Sequence, residues 1–453
     1  MKRYDNYYFI GIGGIGMSAI ARYFNHAGHN VSGYDKTPSP LTAQLESEGI
    51  AIHYEDRPDL IPKDVENTFI IYTPAVPSDL GEMQAALGGG YAICKRSRAL
   101  GEIARGQKCL AVAGTHGKTT TSTLLAHILT SSGEGCNAFL GGISKNYGTN
   151  LLLSRNKVLV AEADEFDRSF LQLFPDIAVI TATDADHLDI YSDRAHVLEA
   201  FGEFASQVSA DGALVIKNGV EVPLGKVRAK VHSYSYNTPC DFYADDITPL
   251  EGGYFDFTLV HPAGRIAHCK VGVPGWVNVE NAVAASAVAL LHGVTPEALK
   301  EALASFSGVK RRFDIHVNTP KCAYIDDYAH HPNEIRAAIS SIRNIFPGRR
   351  ICGIFQPHLY TRTRDFADDF ADALCGLDEL IMLPIYPARE LPIEGVCSEM
   401  ILDKVKCSDK VLVQKDKLME TLRSRNIDCL VTFGAGDIDR FIQPIEEYLK
   451  TIC

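Results

Sequence analysis

The sequence predicts an α/β protein of three domains, and three observations carry that prediction. The chain has 453 residues, more than a single hydrophobic core ordinarily holds. Short apolar runs alternate with longer helical patterns, an order that gives parallel sheets covered by helices. That alternation starts afresh twice, after Gly106 and again near Cys322. The predicted spans are 1–106, 107–314 and 315–453.

The first span opens with the apolar run Tyr7–Ile10 as a strand and Ile15–Ala27 as a helix. His29–Gly33 and Thr68–Tyr72 follow as further strands. In the second span Cys109–Ala113 is a strand, Lys118–Ser131 a long helix, and Lys157–Ala161 and Ile177–Thr181 are strands. The alternating patterns between Ala213 and Val273, broken by turns such as Glu251-Gly252-Gly253, predict antiparallel strands and so a mixed sheet. An Ala-rich helix at Asn278–His292 and a shorter one at Pro296–Ser305 close the span, and the character of the chain changes again at Val309–Asp314. The third span returns to strand–helix alternation. Its strands are predicted at Ala323–Asp326, Arg350–Phe355, Glu379–Leu383 and Cys429–Phe433, and its helices at Asn333–Phe346 and Asp365–Cys375.

Composition narrows the function. Charged residues make up 22% and hydrophobic ones 46%, ordinary for a globular protein. A net charge of −12 argues against a nucleic-acid partner, which would need a basic face. The start of the chain lacks the basic, apolar and small-residue sections of a secretion signal, and nowhere do enough apolar residues run together to span a membrane. A cytoplasmic protein is expected, as a monomer or weak homodimer. The twelve cysteines are scattered singly with no CxxC pair, which predicts reduced thiols and no zinc site.

Four segments carry chemistry. Gly11-Ile12-Gly13-Gly14-Ile15-Gly16 joins a strand to a helix, where glycine lets the backbone approach a diphosphate at the helix N-terminus. Gly11, Gly13, Gly14 and Gly16 are therefore candidate ligand contacts, and Asp35 stands where a ribose-binding acid belongs. Alone, this pattern suits a nicotinamide or flavin enzyme as well as any other nucleotide binder. The second segment, Gly114-Thr115-His116-Gly117-Lys118-Thr119-Thr120, is a phosphate-cradling loop. Its backbone N–H groups would wrap phosphates, Lys118 would neutralise them, and the Thr119 hydroxyl could hold Mg²⁺. The usual first glycine of such loops is replaced by Val112, so this is a variant with its glycine at 114. Third, Glu162-Ala163-Asp164-Glu165-Phe166-Asp167 sets four carboxylates at a strand's carboxyl end, which suits Mg²⁺. Fourth, His187 lies among Asp184, Asp186 and Asp189 at another strand end, as a candidate ligand of a second metal.

Together with Asn278–Ala285 (NVENAVAA), Gly308–Asp314 (GVKRRFD) and Asp326–Pro332 (DDYAHHP), these segments resemble the Mur ligases in order along nearly the whole chain. Those are the ATP-dependent enzymes that build the peptide stem of peptidoglycan. The opening glycine loop, DDYAHHP and Phe355–Phe366 (FQPHLYTRTRDF) resemble the alanine-adding branch. The resemblance implies a Rossmann-like N-terminal domain, a central P-loop-type ATPase domain and a Rossmann-like C-terminal domain. It implies ATP and Mg²⁺ as cofactors and UDP-N-acetylmuramic acid and L-alanine as substrates, joined through an acyl-phosphate.

By the same resemblance the N-terminal glycines and Asp35 would grip UDP. Gly114, Thr115, Gly117, Lys118, Thr119 and Thr120 would hold the ATP phosphates. Thr119, Glu162 and His187 would ligate metal, and Asn278 and Asn281 would face the adenine. Arg312 and Asp327 would contact ATP from the C-terminal side. Tyr328, His330 and Arg362 would lie near the carboxylate and the amino acid, with His330 as base for the amine and Lys118, His330 and Arg362 as the catalytic set.

Three departures stand out. No lysine lies between His187 and Lys217, so the carbamylated lysine of many members is not expected; Val277 replaces a common histidine, and Leu359 a common arginine. His116 and His331 are assigned to loop support and capping, Trp276 to the core, and Gly434 to a tight turn. Three rivals remain open: a recycling ligase that attaches a tripeptide to the same sugar nucleotide, a nicotinamide-dependent oxidoreductase built on the first glycine loop, and a nucleotide-gated binding or regulatory protein without ligase chemistry.

Overall fold

The computed structural model describes residues 3–184, 191, 193–388 and 390–453. Three sheets organise them. The first contains β1 (Asn6–Ile10), β2 (Asn30–Tyr34), β3 (Ala51–His53), β4 (Thr68–Tyr72) and β5 (Ala92–Lys95). Its order is β3-β2-β1-β4-β5, parallel throughout. Sequence explains the burial. Tyr7 and Phe9 enter one core while Tyr8 and Ile10 enter another, because successive strand residues point to opposite faces and helices cover both. Those helices are α1 (Ile15–His26), α2 (Pro40–Ser47), α3 (Gly81–Gly88) and α4 (Arg96–Ala104). The strand order reverses between β1 and β4, and the first glycine loop leaves β1 at that crevice.

The second sheet has β6 (Lys108–Ala113), β7 (Asn137–Phe139), β8 (Leu151–Leu152), β9 (Val158–Ala163), β10 (Ile177–Ile180), β11 (Ala213–Lys217), β12 (Lys230–Ser235), β13 (Phe242–Pro249), β14 (Phe255–His261) and β15 (Gly264–Lys270). Their order is β15-β14-β13-β12-β11-β10-β6-β9-β7-β8. Helices α5 (Lys118–Ser131), α6 (Arg194–Ser206), α7 (Trp276–His292) and α8 (Pro296–Ser305) accompany it. The antiparallel expectation for Ala213–Val273 fails at its start, since β10, β11, β12 and β13 pair parallel in succession. The alternating pattern was the cause: β12 and β13 have one exposed side, and exposure on one side does not fix strand direction. β14 and β15 are joined by Pro262 and Ala263 alone, a link of hairpin length.

The third sheet comprises β16 (Asp314–Asn318), β17 (Ala323–Asp327), β18 (Ile351–Phe355), β19 (Glu379–Met382), β20 (Asp409–Leu412) and β21 (Cys429–Phe433). Its order is β16-β17-β21-β18-β19-β20, with only β16 antiparallel to its neighbour. Its helices are α9 (Pro332–Ile345), α10 (Tyr360–Asp365), α11 (Ala367–Leu374), α12 (Glu399–Leu402), α13 (Leu418–Arg423) and α14 (Ile442–Ile452). The helix expected at Asp365–Cys375 is α11, and the short α10 precedes it across Phe366. Ile325 and Val431 face one core and Tyr324 and Leu430 the other.

The chain folds as two compact units, one of residues 1–246, 257–269 and 280–307, the other of 247–256, 270–279 and 308–453. In the first, a buried polar tie joins α1 to the loop before β8. Asn150 donates to the Ile15 carbonyl and the Ser18 hydroxyl, and accepts from Arg22, which also chelates Glu48. Among the described residues no helix is long and apolar enough to cross a membrane.

Cysteine usage departs from expectation, because Cys322 and Cys453 are bonded to each other while ten cysteines are free. The bond fixes the end of α14 to the turn before β17 and closes a separation of 131 residues. Scattered spacing concealed the pair, since folding alone brings them together. Thiol titration of the denatured, unreduced protein should give ten groups, rising to twelve after reduction. Twelve at the outset would show the pair to be open.

Candidate active site

The carboxyl ends of β9, β6 and β10 lie side by side, with Ala113 in register with Ala163 and with Ile180. The phosphate-type loop leaves β6, the acidic run leaves β9, and Thr181–Asp184 leaves β10. Adjacent parallel strands therefore bring three distant segments to one edge. His187, Asp186 and Asp189 lie outside the described residues.

Two backbone conformations shape the loop. Gly114 has φ +135°, and a Cβ there would fall 2.1 Å from the Thr181 hydroxyl. Gly117 is left-handed at φ 78° and stands at the N-cap of α5 with no side-chain hydrogen bond, and the N-terminus of such a helix favours an anion. Helix α1 likewise starts at Gly14 without a side-chain cap. Side chains of Ser39, Asp193, Thr295 and His331 cap α2, α6, α8 and α9, while α3, α4 and α10 to α14 also start without one. Thr115 is buried and accepts from the Asp184 N–H, and His116 Nε2 lies 3.2 Å from the Asp184 carboxylate, so both brace the loop. Thr120 is half-buried on the first turn of α5.

Lys118 turns inward. Its Nζ donates to the Gly114 carbonyl at 2.6 Å and to both oxygens of Glu165 at 2.9 and 2.7 Å. Burial works against the ammonium, but the charges of Glu165, Asp164 and Glu162 outweigh it, and the pKa rises above the usual lysine value. Beside it the Thr119 hydroxyl donates to Glu162 at 3.0 Å, while the other Glu162 oxygen accepts from the Gly141 N–H. A hydroxyl and a carboxylate are hard oxygen donors, so this pair fits Mg²⁺ chemically. Asn281 on α7 reaches the same loop, accepting from the Thr121 hydroxyl. Asn278 closes the turn before α7 by donating to the Pro274 carbonyl, and Trp276, expected in the core, is only part-buried there.

At the first loop Gly11 packs on Thr73, where a Cβ would come within 2.5 Å of the threonine methyl. Asp35 accepts the Gly13 N–H at 2.7 Å through one oxygen and the Thr37 N–H through the other, so it stabilises the loop directly. Sequence reasoning missed Arg96. It packs against Gly16 and donates to Asp164 at 3.1 Å, tying the glycine loop to the acidic run. A cation at the start of a short helix gives no periodic signal.

The second unit gathers its own set. Asp327 ends β17 and accepts the Ala329 N–H, while Arg312 lies 4.8 Å over the Tyr328 ring. The Tyr328 ring meets His330 edge-on at 5.3 Å, and His330 approaches His358 at 6.0 Å. His330 Nδ1 lies 3.0 Å from the Tyr328 carbonyl, which can only accept, and 3.5 Å from Glu334, so Nδ1 carries a proton; in the neutral ring the basic nitrogen is then Nε2. Arg362 is buried on α10, which Leu359 caps at φ 70°. The unpredicted Arg311 holds Asp326 and the Gly434 carbonyl, so Gly434 serves the turn. Burial, opposed by Arg312 and reinforced by Glu334, pushes the Asp327 carboxyl from 3.8 to about 7.

Fold and geometry define a class: an α/β protein with two glycine turns that open uncapped helices, one of them beside a buried lysine. Family comparison is specific. The Mur ligase family catalytic domain matches residues 6–108, the Mur ligase middle domain 112–289, and the Mur ligase glutamate ligase domain 311–436. The chain belongs to the Mur ligase family. The UDP-N-acetylmuramate–L-alanine ligase of Porphyromonas gingivalis W83 is 51% identical across 98% of this chain and 99% of its own. The ligase of the same name from Flavobacterium psychrophilum is 50% identical across 99% of each chain. A crystal structure of the UDP-N-acetylmuramate-alanine ligase from Thermotoga maritima superposes with a TM-score of 0.83 at 28% identity, covering 98% of this chain and 99% of that one. A murein peptide ligase from Psychrobacter arcticus, at 22% identity and TM-score 0.74, shares the fold.

Two outcomes are expected. Gly114→Ala should cost on the order of 1–3 kcal/mol and remove nucleotide binding, whereas Gly133→Ala should cost about 1 kcal/mol and leave binding intact. At Gly133 a Cβ meets nothing within 4 Å, so denaturation midpoints and calorimetry of the two variants separate site from backbone. The second concerns pH. Because the folded Asp327 holds its proton up to about pH 7, its stabilisation is complete below pH 3.8 and is lost as pH rises through 7. Wild-type protein should therefore lose more stability between pH 4 and 8 than Asp327→Asn, as read by urea midpoints; equal losses would contradict the assignment.

Proposed function

We propose that this chain joins L-alanine to the carboxylate of UDP-N-acetylmuramic acid, using ATP through an acyl-phosphate and releasing ADP and phosphate. Full-length identity to ligases of that name supports the substrate pair. The observation that carries the chemistry is the loop from Gly114 to Thr119, where a left-handed glycine, an uncapped helix and a buried lysine converge.

Hydroxide is a poor leaving group, so a carboxylate and an amine do not condense in water. Phosphorylating the carboxylate replaces it with a good one. The carboxylate oxygen attacks the γ-phosphorus and ADP leaves; the amine then attacks the acyl carbon, phosphate departs, and the amine proton goes to a base. Lys118 and the N–H groups of α5 offset the charge gathered when two anions meet. Thr119, Glu162 and His187 are the side chains proposed to hold Mg²⁺, which would supply further charge neutralisation. Glycines 11, 13, 14 and 16 with Asp35 take the UDP moiety, and Asn278, Asn281, Arg312 and Asp327 the nucleotide. Tyr328 and Arg362 orient substrate.

The alanine amine must lose its proton before it can attack. In the neutral His330 ring the hydrogen bond at Nδ1 makes Nε2 the basic nitrogen, suited to take it. The enzyme works in the cytoplasm as a monomer or weak homodimer.

Phosphate release should require ATP, Mg²⁺, UDP-N-acetylmuramic acid and alanine together. A tripeptide in place of alanine should give little. Lys118→Ala should lower turnover at least about a hundredfold while retaining the sugar nucleotide. Full turnover in that variant, or turnover without the sugar nucleotide, would remove the mechanism.

A further inference from the structure

Glu165 has no part in the chemistry above, yet it is 1% exposed and aimed at the lysine of the phosphate loop. An ammonium has three N–H donors. In Lys118 these meet three acceptors, the Gly114 carbonyl and the two Glu165 oxygens, so a phosphate oxygen can reach Nζ only by displacing one of them. The other carboxylates of the run are engaged elsewhere. Glu162 takes the Thr119 hydroxyl and the Gly141 N–H, Asp164 takes Arg96, and Asp167 takes Lys95.

Glu165 is also held in place. Its carbonyl accepts from the Tyr191 hydroxyl and the Arg168 N–H, and the turn after it strains Asp167 and Arg168 to φ 53°. A buried carboxylate on a fixed turn is poorly screened and repels an incoming polyphosphate.

We infer that Glu165 is a positioning residue that occupies Lys118 in the empty protein and surrenders it to the phosphate chain. This rests on the reading of Lys118 as a phosphate ligand. Glu165 mimics a phosphate: it keeps the ammonium charged and inward while the site is empty. It weakens nucleotide affinity and, by reclaiming Lys118, favours departure of ADP.

The test is calorimetric titration of the full chain without divalent metal, with tripolyphosphate, ADP and adenosine as probes. Glu165→Gln should bind tripolyphosphate and ADP roughly tenfold more tightly and adenosine unchanged. Glu165→Asp, which keeps the charge but draws it back, should tighten binding by a smaller factor and serves if the glutamine variant fails to fold. Lys118→Ala should lose most tripolyphosphate affinity, and Glu165→Gln should gain far less in that background. Unchanged or weaker binding by Glu165→Gln, with the Lys118→Ala loss intact, overturns the role of Glu165 alone. An equal gain with and without Lys118 also overturns it, as general repulsion. Undiminished tripolyphosphate binding by Lys118→Ala overturns the reading of Lys118 itself.

Discussion

A buried ammonium ringed by carboxylates constrains the whole carboxyl edge of the central sheet. Lys118 is mostly shielded from water, and a charge so placed is tolerable only when paired and hydrogen-bonded. Its partners are Gly114 on its own loop and the distant Glu165, which follows β9. The pairing of β6 with β9 is therefore an electrostatic requirement as well as a packing one. Thr181, just after β10, completes the arrangement by bonding the Ala113 and His116 carbonyls, which leaves no room for a side chain at Gly114.

The same economy governs the link between the first two sheets. Asn150 offers its side chain to α1 and its carbonyl to Leu140, next to the Gly141 N–H that holds Glu162. Arg96 makes a second bridge, from Gly16 to Asp164. Both glycine loops are thus anchored to one short stretch of backbone and one acidic run. A displacement of either loop must disturb buried hydrogen bonds, which are costly to leave unmade.

Parallel sheets were legible because strands buried on both faces appear as unbroken apolar runs, as in β6 and β18. The phosphate loop was legible because few backbones other than glycine accept the angles at 114 and 117. What escaped depends on distance through space. Short helices such as α2 and α3 bury few side chains, so their periodicity is faint. β12 and β13 alternate like hairpin strands yet pair parallel, because direction is set by the route of the chain between them. Nothing in the run Glu162–Asp167 separates one carboxylate from another; only folding gives each its cation or hydroxyl. The bond between Cys322 and Cys453 escaped for the same reason.

The C-terminal sheet poses a different electrostatic problem with a related solution. Asp326 is fully buried and is satisfied by Arg311 and Thr432, whereas Asp327, one residue on, faces the other side of the strand with its proton retained to about pH 7. Strand alternation makes the first a structural carboxylate and leaves the second available. A carboxyl balanced near neutrality can donate a hydrogen bond or accept one, at small cost in either direction. Bound beside a cationic or donor-rich ligand it would ionise and release a proton. His330 must take up a proton at Nε2 when it serves as base. Within the proposed reaction a polyanionic nucleotide beside Asp327 would instead hold it protonated, as a hydrogen-bond donor, while His330 takes up the proton that the amine gives away.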